Sequence, residues 1–445
     1  MKNKKIVLFV FLLIGVLSLI LTYKLKQNNL SKNKPVKEEK LSIMIKEDGA
    51  TEYTKSSSKD IPKGDYVLNE EKSYCKNNGK IEGYDSVTGT VSFAFIGTDR
   101  CFLYFDHYIP PRKAYDAILL DNGNGVTTVD EAKAYISGKG TPTFTTIATT
   151  NEGMYATEDD YGTSYYFRGA VDNNWLKFGE VGGKPIYWRI IRINGDGSIR
   201  LIYTGTTAPI ESQKVVMTGT GTQISTSEFN SSSRNSEYVG YKYEIGKQHG
   251  LANDSTIKTT LENWYKTTTL YTDEATSKLV VDTPFCYDRT ASKSKTGTYG
   301  EISSWSSSPT SSYYYGSYGR IWSGSWNQSL KCSSGLDKYS VSNGTLSYPV
   351  GLITADEINM AGADNNYTSN SSYYLYTDQS YWSGSPASFS SSDWHSYVFS
   401  VYSSGFLTYS TVNVASDGVR GSVSLSSEAK LSGDGTWNNP YIVEN

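Results

Sequence analysis

The pattern of apolar and polar positions separates the first 59 residues into two segments. Residues 6–23 are an apolar run without a charged residue, and the five residues before it include three lysines. At about 18 residues the run reaches the lower length limit for a membrane-spanning helix. No A-x-A-like cleavage site follows, so residues 1–26 are predicted to be a retained signal anchor with its N-terminus inside the cell. Cleaved export is the alternative, and the polar residues 27–59 predict a flexible stalk.

Two helices are predicted from apolar spacing and capping residues. The longer, over residues 253–266, has an apolar face at positions i, i+4, i+7 and i+8, which are Ile257, Leu261, Trp264 and Tyr265. The shorter begins at Thr354, which forms an S/T-x-x-E capping box with Glu357, and Gly362 is its natural stop. Weaker helical patterns between residues 114 and 136 predict a connector over residues 107–149.

Hairpins are predicted where β-rich runs flank turns that contain glycine. The clearest turn is Asn-Gly-Asp-Gly at residues 194–197, and Ser-Ser-Gly at residues 403–405 is a second. Residues 419–425 alternate between apolar and polar side chains, which predicts a strand with one buried face. Shorter β-rich runs within residues 60–106 predict a small β module.

The C-terminal region carries two short motifs on either side of a predicted hairpin. The first is W-x-x-S-P and the second is G-V-R, at Trp382, Ser385, Pro386, Gly418, Val419 and Arg420, and Gly421 follows. This order resembles a family of membrane-anchored bacterial surface proteins whose second motif is G-V-R-P, so Gly421 departs from the family pattern. It is also similar to the C-type-lectin-like folds of formylglycine-generating enzymes and of the variable proteins of diversity-generating retroelements. The resemblance covers roughly the second half of the chain and implies an α+β fold class, with a C-type-lectin-like domain over residues 150–445.

The four cysteines fall into two pairs that are close in sequence: Cys75 with Cys101, and Cys286 with Cys332. An even number in an exported chain indicates two disulfides, and these two pairs are favoured among the three possible pairings. The first would then stabilise the small β module. A reduced, buried quartet is the alternative, and the chain lacks the C-x-x-C spacing of zinc and redox sites.

Charge and motif searches give no positive sign of catalysis. The chain has 445 residues and a net charge of -3, so it has no global basic field for nucleic acid. Its three histidines have no ligand-type neighbour at helical or hairpin spacing, and residues 158–160 lack the spacing of a calcium loop. No G-x-S-x-G elbow is present, and the last cysteine lies upstream of the core that carries the formylglycine-generating active site. We therefore predict no enzyme activity, no metal and no cofactor.

Two segments rich in Tyr, Trp, Ser and Gly, within residues 311–326 and 373–409, have the composition of an antibody paratope. The predicted contact face consists of Trp382, Phe389, Trp394, His395, Tyr402 and Tyr409. A second predicted patch consists of Tyr313, Tyr314, Tyr315, Arg320, Trp322 and Trp326. The alternative interpretation is that half of these aromatic residues belong to the core.

These observations predict a single-pass membrane protein with most of the chain outside the cell. Its expected role is adhesion or binding to a host, cell-wall or partner macromolecule, a glycan or a protein, without catalysis. An enzyme on the same fold is the alternative, and a structural envelope protein is the third possibility. The resemblance to retroelement proteins further suggests that residues 395–411 are a diversified binding site.

Overall fold

A computed structural model describes residues 40–47, 50, 52–77, 79–94, 99–107, 110–323, 326–364 and 367–444. The chain divides between Tyr108 and Ile109 into two compact units. Within the described ranges, no helix combines the length and the apolar character needed to cross a membrane. The predicted anchor and residues 27–39 of the predicted stalk lie outside the described residues.

The first unit is built on a five-stranded sheet. Its long central strand, Cys101–His107, pairs in parallel with Leu41–Lys46 and antiparallel with Tyr66–Leu68 and Tyr74–Cys75. Thr54–Lys55 extends the sheet at its edge, and a separate hairpin joins Lys80–Asp85 to Thr90–Ala94. The core consists of Ile43, Leu103 and Phe105, and the predicted disulfide Cys75–Cys101 is present.

The stalk predicted over residues 27–59 differs from the structure at its C-terminal end. Leu41–Lys46 and Thr54–Lys55 are strands of the first unit's sheet. Ile43 is buried in its core. The short LSIMIK sequence contributes its apolar residues to this core, although the residues around it are polar.

The second unit contains a ten-stranded sheet. The predicted hairpin around residues 194–197 is confirmed, because Lys184–Ile193 pairs antiparallel with Ile199–Gly205. The predicted C-terminal strand is observed as Ser422–Leu425 and pairs with the second strand of this hairpin. The remaining strands of the sheet are Arg112–Lys113, Asn151–Asp159, Gly162–Gly169, Trp175–Val181, Val280–Val281, Lys430–Ser432 and Tyr441–Glu444.

A seven-stranded sheet forms the other large element of this unit, with Tyr381–Ser390 at its centre. The predicted hairpin at residues 403–405 is confirmed, because His395–Val401 pairs antiparallel with Leu407–Thr411. The other strands of this sheet are Ser225–Thr226, Ala291–Ser292, Tyr313–Tyr315 and Gly418–Val419. Two further strand pairs are Lys242–Tyr243 with Asn253–Asp254, and Phe285–Cys286 with Lys338–Tyr339.

The α-helices are short, and the two predicted most strongly are present. Thr256–Tyr265 is capped by the Ser255 side chain. Ala355–Ala361 begins with the predicted capping box of Thr354 and Glu357, and Gly362 follows it. The other described α-helices are Ala114–Asp121, Val129–Gly138, Thr269–Thr272, Glu274–Ser277 and Gly316–Ile321.

The α+β fold class predicted for this chain is wrong. The fold is mostly β, with 34% strand against 16% helix and a curled sheet. The prediction missed strands such as Gly162–Gly169 and Tyr381–Ser390, whose side chains are buried on both faces. A strand buried on both faces carries no alternation of apolar and polar residues, so its pattern does not identify it. The second predicted disulfide, Cys286–Cys332, is present in this unit.

Candidate binding face

Two residues of the predicted contact face are buried and cannot touch a macromolecule. Trp382 and Phe389 lie in the central strand Tyr381–Ser390, which is covered on both sides. The Trp382 indole N–H donates to the Ser227 carbonyl oxygen at 2.8 Å. Their assignment as contact residues is therefore wrong, because a strand at the centre of a covered sheet places both of its faces in the core.

The predicted second patch is also partly core. Tyr313 and Tyr315 are buried, and the Tyr315 hydroxyl donates to the Ser236 carbonyl oxygen at 2.6 Å. Arg320 is used inside the protein: its guanidinium bonds to Asp288 at 2.6 Å and to Asp356 at 2.8 Å. Although burial alone would raise it, the pKa of the Asp288 carboxyl is lowered by Arg320 and by hydrogen bonds. Arg320 therefore fixes neighbouring elements instead of forming an exposed contact.

Four of the remaining predicted residues, Tyr314, Trp322, Tyr402 and Tyr409, come together in one place. Trp322 immediately follows the helix Gly316–Ile321, and its backbone N–H donates to the Tyr318 carbonyl oxygen at 2.8 Å. Tyr409 lies in the strand Leu407–Thr411 and pairs with Phe399 of the neighbouring strand. The ring centroids of Trp322 and Tyr409 are 5.4 Å apart. The two sequence segments that were predicted as separate patches therefore meet at this contact.

Further aromatic rings extend this contact into a continuous cluster. Tyr367 lies 5.4 Å from Trp322 and 5.4 Å from Phe406, measured between ring centroids. Phe406 stacks on Tyr402 at 5.1 Å, and Tyr397 contacts Tyr409 edge-on at 5.4 Å. Buried Tyr318 lies beneath the cluster and also contacts Tyr314. We define the aromatic face as Tyr314, Trp322, Tyr367, Tyr397, Tyr402, Phe406 and Tyr409.

Local turns set the position of the face. In the hairpin turn Gly405 has a φ of +91°, and a Cβ there would lie 1.9 Å from the Asn370 carbonyl oxygen. Only glycine fits this close approach, which places Tyr402 and Phe406 on either side of the turn. The Asp364 carbonyl oxygen accepts from the Leu407 N–H at 2.8 Å, and its carboxylate accepts from the Thr368 N–H at 3.1 Å. Asp364 thus ties the loop that carries Tyr367 to the strand that carries Tyr409.

The aromatic face is partly open to solvent and carries polar groups among its rings. Tyr367 is 56% exposed and Tyr402 is 50% exposed, while the other rings are half-buried. The Tyr397 hydroxyl donates to the Asp393 carboxylate at 2.6 Å, and burial and this carboxylate raise the pKa of Tyr397. The Lys295 ammonium lies 5.6 Å from the Tyr314 ring, within the range of a cation–π contact. Flat apolar surfaces and hydrogen-bonding groups are therefore available side by side.

Three predicted residues lie outside the aromatic face. Trp394 is 40% exposed and packs on buried Phe389, with ring centroids 6.4 Å apart. His395 is held in the same turn by a hydrogen bond between its Nδ1 and the Asp393 carbonyl oxygen at 2.7 Å. Trp326 is half-buried. Conversely, Tyr367, Tyr397 and Phe406 were not among the predicted contact residues, and their position within or beside Tyr- and Ser-rich segments is the sequence signal that pointed to them.

The three acidic side chains of the turn at residues 158–160 each bind a different partner. Glu158 accepts from Thr163, Asp159 pairs with Arg192, and Asp160 pairs with Lys338. Within the part of the chain that the structure describes, no group of three or more His, Cys, Asp or Glu residues is arranged to hold a metal ion.

Comparison of the chain with protein-family models, with curated proteins and with solved structures finds no match in any of the three.

Proposed function

We propose that this chain is a non-catalytic binding protein that holds a glycan on the aromatic face, outside the cell that makes it. The contact between Trp322 and Tyr409 carries the proposal, because it joins rings from two distant segments into one half-exposed surface. Rigid aromatic side chains offer a large contact area at a low cost in conformational entropy. The two disulfides support an oxidising location outside the cytoplasm, and the apolar run at residues 6–23 would serve as the membrane anchor.

The polar groups within the face favour a glycan over a protein partner. A stable protein interface buries roughly 800 Å² on each side and has a centre that is more apolar than its rim. Beside the rings of the aromatic face, the Asp393 carboxylate accepts from the Tyr397 hydroxyl at 2.6 Å, and the Lys295 ammonium lies 5.6 Å from the centre of the Tyr314 ring. A sugar ring presents an apolar face of C–H groups and an edge of hydroxyls, which matches flat rings bordered by hydrogen-bonding side chains.

The test is to probe the full-length chain, in mild detergent, with an array of defined oligosaccharides and polysaccharides and with a protein array. We expect binding to one class of glycan. In the double variant Tyr367→Ser, Tyr402→Ser, the affinity should fall by about 30-fold or more, the loss expected when centrally placed aromatic contacts are removed. Intact cells that display the chain should bind the same labelled glycan without permeabilisation.

The matched control is Tyr135→Ser on the helix Val129–Gly138. Tyr135 is 42% exposed, close to the exposure of the two tested tyrosines, but it lies outside the aromatic face. This variant should keep full affinity. Binding to the protein array alone would show that the ligand is a protein and not a glycan. Glycan binding that persists in the double variant would show that this surface is not the binding site.

A further inference from the structure

A small charged cavity lies within the second unit, away from the residues that define the aromatic face. It has a volume of about 40 Å³ and is lined by Asp159, Arg192, Arg200, Asp356 and Glu357, among others, with the Cys286–Cys332 disulfide in its wall. A water molecule needs roughly 10–15 Å³ measured in this way, so the cavity has room for a small ion with one or two waters. A small ion therefore fits inside it, and a larger molecule would extend into the solvent.

The carboxylates that line the cavity are all paired with basic side chains. Arg192 bonds to Asp159 at 2.9 Å and to Glu357 at 2.8 Å. Asp356 pairs with Arg320, and Asp160 pairs with Lys338 at 2.9 Å. Paired carboxylates have little capacity left to attract a cation, and basic side chains outnumber acidic ones by one among the lining residues.

Arg200 differs from the other basic residues of the cavity. Its side chain is buried, with the residue 2% exposed, and its Nη2 donates to the Pro284 carbonyl oxygen at 2.8 Å. The guanidinium also lies 4.0 Å from the centre of the Phe285 ring. Its Nε and Nη1 donate to no acceptor among the described residues. Leaving a buried N–H of a charged group without an acceptor costs free energy. A small hydrogen-bond acceptor at this position would remove that cost.

The charge of Arg200 is also poorly compensated by the protein. Burial and the nearby Arg192 lower the pKa of Arg200 to about 10, while Glu357 acts in the opposite direction. At neutral pH the guanidinium therefore remains charged. The four carboxylates that line the cavity are each paired with another cation, so an added negative charge would be stabilised beside Arg200.

We propose that this cavity binds a small monovalent anion, a halide or a small carboxylate such as formate, which accepts a hydrogen bond from the Arg200 guanidinium. Because the Nε–H and Nη1–H bonds of a planar guanidinium diverge, one anion accepts from one of them, and a water molecule can accept from the other. The bound anion would stabilise the packing of the strands Lys184–Ile193 and Ile199–Gly205 against the helix Ala355–Ala361. This site is independent of glycan binding.

Bromide is the probe for the location of the site. Crystals of the full-length chain grown with bromide in place of chloride should show an anomalous scattering peak within hydrogen-bond distance of Arg200 Nε or Nη1. A peak limited to exposed lysines, with only water at Arg200, would overturn the proposal. This outcome is read from the unaltered protein, so it does not depend on whether a variant folds.

Thermal unfolding tests the same site in solution. At equal ionic strength, chloride or formate should raise the Tm by about 2–4 °C relative to gluconate, a monovalent anion too large for the cavity. Arg200→Met should abolish this difference, whereas Lys331→Met, at an exposed lysine on the rim of the same cavity, should keep it. An equal rise in the Arg200→Met protein would show that the effect arises elsewhere and would contradict the proposal.

Discussion

Tyr367 holds a backbone conformation that is unfavourable for its residue type. Its φ is +59°, in the left-handed region that glycine and asparagine adopt more easily than an aromatic residue. It is also the most exposed ring of the aromatic face. Strain of this kind costs about 1–3 kcal/mol and is often kept where a side chain serves a function other than stability. The combination of strain and exposure supports a binding role for this ring.

We expect Tyr367→Asn to separate stability from binding. Asparagine tolerates the left-handed region, so the free energy of unfolding should stay unchanged or rise by about 1 kcal/mol, while glycan affinity falls. Denaturant unfolding and a binding titration measure the two effects.

Tyr402→Asn is the matched control for this change. Tyr402 is similarly exposed and contacts the same Phe406 ring, but its backbone is not in the left-handed region. Its replacement should weaken binding without a gain in stability. A clear loss of stability in Tyr367→Asn would show that the ring is retained for packing.

Single residues also show what the sequence could and could not predict about the site. Trp322 and Tyr409 are half-buried, because Trp322 follows the end of a helix and Tyr409 lies in a strand at the edge of its sheet. Trp382 and Phe389 have the same type of surroundings in the sequence, yet they are buried. Serine-rich neighbours suggest a solvated strand, but the serines around Trp382 are themselves buried and hydrogen-bonded, as Ser383 is to the Phe399 carbonyl oxygen.

At the scale of single elements, the capping box of the helix Ala355–Ala361 is joined to the large sheet. One oxygen of Glu357 accepts from the Thr354 N–H, and the other accepts from the Arg192 guanidinium at 2.8 Å. Burial by itself would raise the pKa of Glu357, but Arg192 and Arg200 lower it below its usual range. The sequence predicted the cap, since Thr354 and Glu357 are local, but not the ion pair with a residue 165 positions away.

The Glu357–Arg192 pair predicts a specific dependence on pH. A carboxyl whose pKa is lower in the folded state stabilises the fold above the unfolded pKa of about 4.3, and this contribution is lost as the pH falls through the folded pKa. Glu357→Gln should therefore lower the free energy of unfolding at pH 7 by about 3 kcal/mol or more, since it leaves part of a buried pair unmatched.

The loss in Glu357→Gln should shrink in acid, where the native carboxyl is itself protonated. Urea unfolding at neutral and acidic pH measures this difference. Glu131→Gln is the control, because Glu131 forms an equivalent capping box with Thr128 but is exposed. A Glu357→Gln loss that is independent of pH would rule out the ion pair as its cause.

At the scale of the whole molecule, the fold depends on pairings between distant strands. Arg112–Lys113 pairs with Lys430–Ser432, and Trp175–Val181 pairs with Tyr441–Glu444. The sequence predicted the local hairpins because a short turn fixes the register of adjacent strands. It did not predict these distant pairings, because they depend on packing between segments and no local sequence pattern identifies the partner strand.

The many tyrosines predict loss of stability at alkaline pH. The chain has 37 tyrosines. Burial raises the pKa of Tyr318 and Tyr339 to about 12, and it raises the pKa of fully buried Tyr241 and Tyr315 well above the usual value. Because the unfolded pKa is about 10, only the unfolded chain ionises as the pH first rises above that value, so the folded state loses stability.

Buried arginines oppose this effect but are fewer. Burial lowers the pKa of Arg189 to about 9, and the lowered pKa of Arg200 acts in the same direction, so both favour the fold as the pH rises. The tyrosines should dominate because many more of them have shifted pKa values. Tyrosine absorbance during a pH titration should show delayed ionisation in the folded protein and a cooperative release on unfolding. Ionisation of most tyrosines near pH 10 without unfolding would contradict their burial.

The most direct test of the account is a binding titration of the full-length chain with the glycan that the array identifies. The unaltered chain, the double variant Tyr367→Ser, Tyr402→Ser and the control Tyr135→Ser are compared, with circular dichroism to confirm that all three are folded. We predict a loss of affinity of about 30-fold or more in the double variant alone. Equal affinity in all three folded proteins would contradict the assignment of the aromatic face as the binding site.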